Sequence, residues 1–167
     1  MIKAARIVFL ISLIAIFFSL FRCGKSNSDE PKEMSINIYM VALEGSTLQG
    51  KTIGCNDILV PISKTILIEK NEVESILTEL FAAKSTDELQ NYIKGPGLIL
   101  YQATLANGKA EVYIKGDFNI SDACDIPRIR EQLYETVKQF SDVKEAKFYI
   151  NAQSLESYLS IAGQGFN

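Results

Sequence analysis

Hydrophobic residues change rhythm several times along this chain, and each rhythm predicts an element. Residues 7–21 form an apolar run broken only by Ser12 and Ser19, and Lys3 and Arg6 are the charges that precede it. As a helix those fifteen residues would span about 22 Å, short of a hydrocarbon layer of about 30 Å. A basic head followed by a short apolar block is the pattern of an export signal. Residues 25–33 (KSNSDEPKE) have no apolar period and read as a flexible spacer.

Beyond the spacer the period becomes two. In 35–43, Ile36, Ile38 and Met40 alternate with Asn37 and Tyr39, predicting a strand. The stretch 44–54 holds Gly45, Gly50 and Gly54 and reads as a loop, and 58–68 (ILVPISKTILI) reads as a second strand. Pro61 cannot donate to a ladder, so it places that strand at an edge or a bulge. From Asn71 the period becomes helical: Asn71 is a suitable N-cap, Glu72 and Glu74 suit the helix dipole, and Val73, Ile76, Leu77, Leu80 and Phe81 share one face. Ser85 and Glu88 have capping-box spacing, which predicts a second, shorter helix carrying Leu89, Tyr92 and Ile93 and ended by Gly95-Pro96-Gly97.

Asn107-Gly108 predicts a two-residue type I′ hairpin within 98–115. That turn sets Leu105 opposite Ala110, Ala103 opposite Val112 and Tyr101 opposite Ile114 on one face. Thr104 then faces Glu111, and Gln102 faces Tyr113, on the other. Residues 116–123 read as a loop, and Asp125 as the cap of a helix with Pro127 in its first turn and Ile129, Leu133, Val137 and Phe140 inward. Ala146, Phe148 and Ile150 alternate with Lys147 and Tyr149 in a last strand, and 153–161 suits a terminal helical turn. The order β-β-α-(α)-β-β-α-β gives the α+β class, an antiparallel-rich mixed sheet covered by helices on one face. The expected domain organisation is signal or anchor 1–22, linker 23–34, folded domain 35–162 and tail 163–167.

Composition narrows the function classes. Once the signal's three positive charges (Lys3, Arg6, Arg22) are removed, 14 basic residues face 20 acidic ones, a net charge of −6. Such a surface repels phosphate backbones, so no nucleic-acid partner is expected. The chain has no His, which removes Ser-His-Asp and Cys-His catalysis and the common zinc sites. No metal and no cofactor is expected. With Cys23 set aside, Cys55 and Cys124 remain as an even pair outside the cytoplasm, and a disulfide is the preferred reading over a buried free pair.

Leu20-Phe21-Arg22-Cys23-Gly24 resembles a bacterial lipoprotein signal, which implies lipidation of Cys23; Leu20 and Cys23 match that pattern, while Phe21 and Arg22 stand where small residues are usual. The alternative is an uncleaved signal anchor stopped by Arg22. Either tether holds the domain outside the cytoplasm, at the membrane of the cell envelope.

The folded part resembles the GerMN domain family of sporulation and germination proteins. The resemblance rests on 53–61 (IGCNDILVP), on the helix over 72–82, on 105–118 (LANGKAEVYIKGDF), and most specifically on 124–151 (CDIPRIREQLYETVKQFSDVKEAKFYIN). It covers roughly residues 36–160. It implies an envelope-located module without chemistry of its own, with peptidoglycan or an envelope protein as partner. The alternatives carried beside it are a ligand-binding lipoprotein and a carboxylate-dependent cell-wall hydrolase.

Three candidate sites follow from the residues. Asp117, Asn119, Ser121 and Asp125 suggest a calcium loop, but the sixth and twelfth positions hold Asp122 and Arg128 where Gly and Glu are required. Glu69, Glu72 and Glu74 lie at a helix start, where acids serve the dipole rather than glycoside cleavage. Tyr39, Tyr113 and Tyr149, if they share the open face of one sheet, form an aromatic contact surface.

Overall fold

The computed structural model describes residues 32–68 and 71–166. The signal, Cys23 and Glu69 lie outside the described residues.

Two strands of equal length open the fold. β1 (Lys32–Ala42) runs antiparallel to β3 (Ile58–Ile68) from Lys32↔Ile68 to Ala42↔Ile58, and the short β2 (Lys51–Thr52) pairs with β3 only at Ile58 and Leu59. Ile36, Ile38 and Met40 are buried, as their alternation predicts. Tyr39 and Pro61 pair across the ladder, and Tyr39 turns its N–H and C=O away from β3. Pro61 therefore faces the opposite rim, beyond the reach of β2, where its missing N–H leaves nothing unpaired. Lys64, farther along that strand, pairs with Glu79.

The second sheet has the order β4-β5-β6-β7. β4 (Ile99–Ala106) and β5 (Lys109–Lys115) are joined by Asn107-Gly108, whose φ values of 54° and 79° are those of the type I′ turn. β6 (Glu145–Ile150) lies parallel to β5, and a second tight turn leads into β7 (Gln153–Ser154). The α+β class is as the sequence predicts, with the strands divided between an antiparallel three-stranded sheet and a mixed four-stranded one.

Three helices complete one core. Asn71 caps α1 (Glu72–Ala82), its side chain accepting from Glu74 N at 2.9 Å. Val73, Ile76, Leu77 and Leu80 of α1, and Ile129, Leu133 and Val137 of α2 (Asp125–Lys138), are fully buried. Leu155 and Leu159 of α3 (Leu155–Gly163) join them, with Val112, Ile114, Phe148 and Ile150 beneath.

Four expectations are corrected. Residues 83–98 contain no helix. Ser85 Oγ instead accepts from Asn91 N (2.9 Å), and Asn91 Nδ2 donates to Leu80 O and Ala83 O at the end of α1, so the polar residues clip an extended segment. Gly95-Pro96-Gly97 marks a close backbone crossing rather than a helix end: a Cβ on Gly95 would lie 1.9 Å from Asp117 O, and Asn119 N donates to Lys94 O at 2.9 Å. The hairpin register holds from Gln102 to Ala106 but shifts at Tyr101, so Leu100, not Tyr101, faces Ile114. That bulge turns Tyr101 outward, with the Lys115 ammonium 3.5 Å from its ring centroid. Finally, Asp125 opens α2 rather than capping it: Cys124 stands at the N-cap without a side-chain bond, and in the turn before it Asp122 Oδ1 accepts from Cys124 N (2.8 Å) and Asp125 N (3.2 Å).

The free rim of β1 is closed by side chains of α2 and of its C-cap, Gln139. Gln139 bonds both Asn37 N (2.8 Å) and Asn37 O (2.7 Å), Thr136 Oγ1 accepts from Tyr39 N (3.3 Å), and Gln132 Nε2 donates to Tyr39 O (2.8 Å). Gln90 finishes the rim by exchanging backbone bonds with Val41. Gln132 is fully buried and also accepts from Tyr92 N at 2.8 Å. Gln132→Ala orphans two partly buried backbone groups, Tyr39 O and Tyr92 N, at about 1–3 kcal/mol each when fully desolvated, so a loss of about 2–3 kcal/mol is expected. Gln132→Leu should not restore it. Urea unfolding of the three proteins checks this, and a loss below about 1 kcal/mol contradicts it.

Candidate functional site

Cys55 and Cys124 are joined in a disulfide, with Cα atoms 5.8 Å apart and a sequence separation of 69. A loop of that length constrains the unfolded chain by about 4 kcal/mol on the entropy model. Beside the bridge lies the most deeply buried charge cluster among the described residues. Asp57, 1% exposed, accepts from Glu44 N (2.9 Å) and from Arg128 Nε (2.5 Å). Arg128 Nη1 reaches Asp125 Oδ1 at 3.0 Å, and its guanidinium lies 4.9 Å from the centroid of the Tyr92 ring. The other Asp125 oxygen accepts from Ser121 N (2.8 Å) and Ser121 Oγ (2.9 Å).

The loop weighed for calcium is thus tied by protein groups. Both Asp125 oxygens are engaged, and Asp117 Oδ1 accepts from the Tyr158 hydroxyl at 3.3 Å. Among the described residues no group of His, Cys, Asp and Glu is placed to hold a metal ion. Glu72 and Glu74 lie in the first turn of α1.

The three tyrosines separate. Tyr113 and Tyr149 are register partners on β5 and β6, and their rings stack with centroids 5.0 Å apart and planes 13° from parallel. Both are half-buried on the face opposite Val112, Ile114, Phe148 and Ile150, flanked by the ion pairs Lys109–Glu111 (2.6 Å) and Lys147–Glu145 (3.0 Å). Tyr39 does not join them, because β1 belongs to the other sheet. Burial raises the Tyr39 hydroxyl above its ordinary value, the Glu135 charge adds to this, and Lys51 opposes it. Lys51 bridges Glu131 (3.0 Å) and Glu135 (2.7 Å) on α2.

Open grooves lie on the outside of the molecule. One of about 630 Å³ runs between β3 and α1, lined by Lys64, Leu67, Glu74 and Thr78. Another, of about 270 Å³, lies beside β6 and is lined by Tyr134, Phe148, Tyr149, Leu155 and Glu156. There the Tyr134 hydroxyl is pushed up to about 12 by burial and by the charge and hydrogen bond of Glu156.

No protein-family model matches the chain, and no curated protein matches it. Among solved structures it is similar to the tandem GerMN domains of the sporulation protein GerM from Bacillus subtilis. The TM-score is 0.52 at 14% identity, over 74% of this chain and 40% of that one. The fold is GerMN-like. The chain spans 40% of the length of that tandem protein. A weaker likeness, TM-score 0.42 at 13% identity, joins it to a candidate lipoprotein from Clostridium perfringens, over 72% of this chain and 76% of that one.

Within this GerMN-like fold, sequence reasoning paired the cysteines but missed the Asp57–Arg128–Asp125 cluster beside them. The available signal was an acid two residues after Cys55, matched by an acid and an Arg just after Cys124. Nothing local reveals that the two segments meet.

Burial alone would raise Asp125, but hydrogen bonds from Ser121, Arg128 and Asp122 outweigh it and hold the carboxyl below its ordinary value. A folded value below the unfolded one, about 3.9, gives stability that is complete above that pH and drains away as pH falls through the folded value. Asp125→Asn should therefore unfold more easily at pH 7, with stability falling less steeply below about pH 4. Urea midpoints between pH 2.5 and 7 test this, and an unchanged acid slope would refute it.

Proposed function

We propose that the chain is a membrane-tethered, non-catalytic binding module of the cell envelope, working outside the cytoplasm. Its contact surface is the Tyr113–Tyr149 face of the mixed sheet, and its partner is cell-wall glycan or an envelope protein. The observation that carries the reading is the stacked pair itself. Two large aromatic rings stand half-exposed on a sheet whose other face is already committed to the core. Stacking fixes their side chains in advance, so a partner ordering itself against them loses little further rotamer freedom. The ion pairs on either side give the aromatic centre a polar rim, the usual anatomy of a contact surface.

Three supports stand behind the tether and the missing chemistry. The amino-terminal pattern is that of an export signal followed by Cys23. No helix among the described residues is long and apolar enough to cross a membrane. The buried acids sit in a network satisfied by Arg128 and backbone groups, which suits holding a loop rather than proton transfer.

The test uses full-length protein in its native membrane. Mass spectrometry of the mature amino terminus should find an acylated Cys23, and mild cross-linking should capture an envelope partner. Tyr113→Ala with Tyr149→Ala should reduce capture at least fivefold while leaving the unfolding midpoint within about 0.5 M urea of the parent. Undiminished capture by the folded double variant would end the reading.

A further inference from the structure

β3 carries a rim of main-chain groups that β2 covers only at its start. Across the β1–β3 ladder, Asn37, Tyr39 and Val41 send their N–H and C=O groups away from β3. Asn37 bonds Gln139, Tyr39 bonds Thr136 and Gln132, and Val41 bonds Gln90. Their register partners Ser63, Pro61 and Leu59 therefore turn their own groups away from β1. The same parity extends to Thr65 and Leu67, opposite Ser35 and Glu33. On that side β2 pairs only Thr52 with Ile58 and Lys51 with Leu59. Beyond Pro61, no hydrogen bond among the described residues reaches the N–H or C=O of Ser63, Thr65 or Leu67. All three residues are exposed, Leu67 to 49%.

The groove of about 630 Å³ opens between this rim and α1. Thr65 and Leu67 belong to its strand side, and Glu74, Ser75, Thr78 and Glu79 to its helix side. Charge along it is unequal. α1 carries three acids, Glu72, Glu74 and Glu79, and no base. Among the described residues lining the groove the base is Lys64, which is paired with Glu79. An accessible strand edge thus runs beside an acidic helix wall.

We infer that the β3 rim from Ser63 to Leu67 is a docking slot for a short, extended, basic peptide segment of a partner protein, which adds to the antiparallel sheet as a strand beside β3. N–H and C=O groups repeating at strand spacing are matched by another polypeptide backbone. Side chains of the added strand alternate in direction. Those opposite Ser63, Thr65 and Leu67 stand on the exposed face, where Leu67 offers an apolar contact. Those between them point toward α1, where Glu74 and Glu79 favour lysine or arginine. Pro61 has no donor and ends the rim, so the slot is about 13 Å long, enough for about five residues but not for the sheet edge of a second copy. It lies on the other sheet from Tyr113 and Tyr149 and does not depend on the tyrosine face.

The test uses the full chain in nonionic detergent micelles with three end-blocked peptides: alternating valine and lysine, the same peptide N-methylated at alternate residues, and alternating valine and glutamate. Without peptide, the amides of Ser63, Thr65 and Leu67 should exchange rapidly with solvent; with the lysine peptide they should shift saturably and exchange slowly. Binding should fall about tenfold with the methylated peptide, the loss of one main-chain bond or more, and about fivefold with the glutamate one. Thr65→Pro, which removes a donor that the fold itself does not use, should abolish binding while leaving the urea midpoint near that of the parent. Equal binding of the methylated peptide, saturable shifts confined to other residues, or no shift at millimolar peptide overturns the slot. Slow exchange of the three amides without peptide also overturns it: the chain's own amino-terminal spacer then lies on the rim, or a second copy where protection grows with protein concentration. The Tyr113→Ala, Tyr149→Ala protein should bind the lysine peptide as the parent does, whatever becomes of partner capture. Loss of peptide binding in that folded variant places the peptide on the other sheet and overturns the slot.

Discussion

The fold depends on a helix doing what a neighbouring strand ordinarily does. β1 lies at a sheet edge, with the N–H and C=O groups of Asn37 and Tyr39 pointing away from β3, and α2 answers them with Gln132, Thr136 and Gln139. Those three positions follow i, i+4, i+7, so they form one polar stripe beside the apolar one of Ile129, Leu133 and Val137. A single helix thus supplies core packing and edge satisfaction together. Unpaired backbone groups at this depth would each cost about as much as a lost hydrogen bond. The same stripe reaches Tyr92 N and Asn91 through Gln132, which draws the extended segment after α1 onto the helix.

The amino end of α2 is fixed independently. The disulfide and the Asp57–Arg128–Asp125 cluster hold it to the 53–57 loop, where Cys55 and Asn56 take φ values of 62° and 58°. A left-handed conformation costs a non-glycine residue about 1–2 kcal/mol, so a covalent bond and a buried ion pair maintain a loop that would otherwise relax. The buried arginine contributes chiefly to position: removing it would leave two acids in the interior, which is far more costly than the net gain of forming the pair.

Local chemistry made much of this legible. Asn107-Gly108 announces its turn because both residues accept positive φ, Asn71 announces α1 because its side chain can reach a free N–H, and Cys55 and Cys124 suggest a disulfide because they form an even pair once Cys23 is set aside. What stayed hidden is non-local. Residues 85–94 carry a fair helical pattern, yet Ser85 and Asn91 find better partners in each other and in the end of α1. The shift at Tyr101 has no mark in the sequence, since either an aromatic or a leucine could face Ile114. Gln132, Thr136 and Gln139 look like ordinary surface polar residues until β1 is laid beside them. The tyrosine pair was half legible: Tyr113 and Tyr149 alternate correctly on their strands, but the split into two sheets that removes Tyr39 follows from topology rather than periodicity.

Pro61 and Lys64 also bear on how copies of this chain meet one another. Edge-to-edge growth of sheets requires each molecule to offer an unbroken rim of main-chain donors and acceptors. Along β3 beyond β2 that rim is interrupted by an imino acid without a donor and by an ammonium paired with Glu79, so a second copy finds a broken ladder on that side of the sheet.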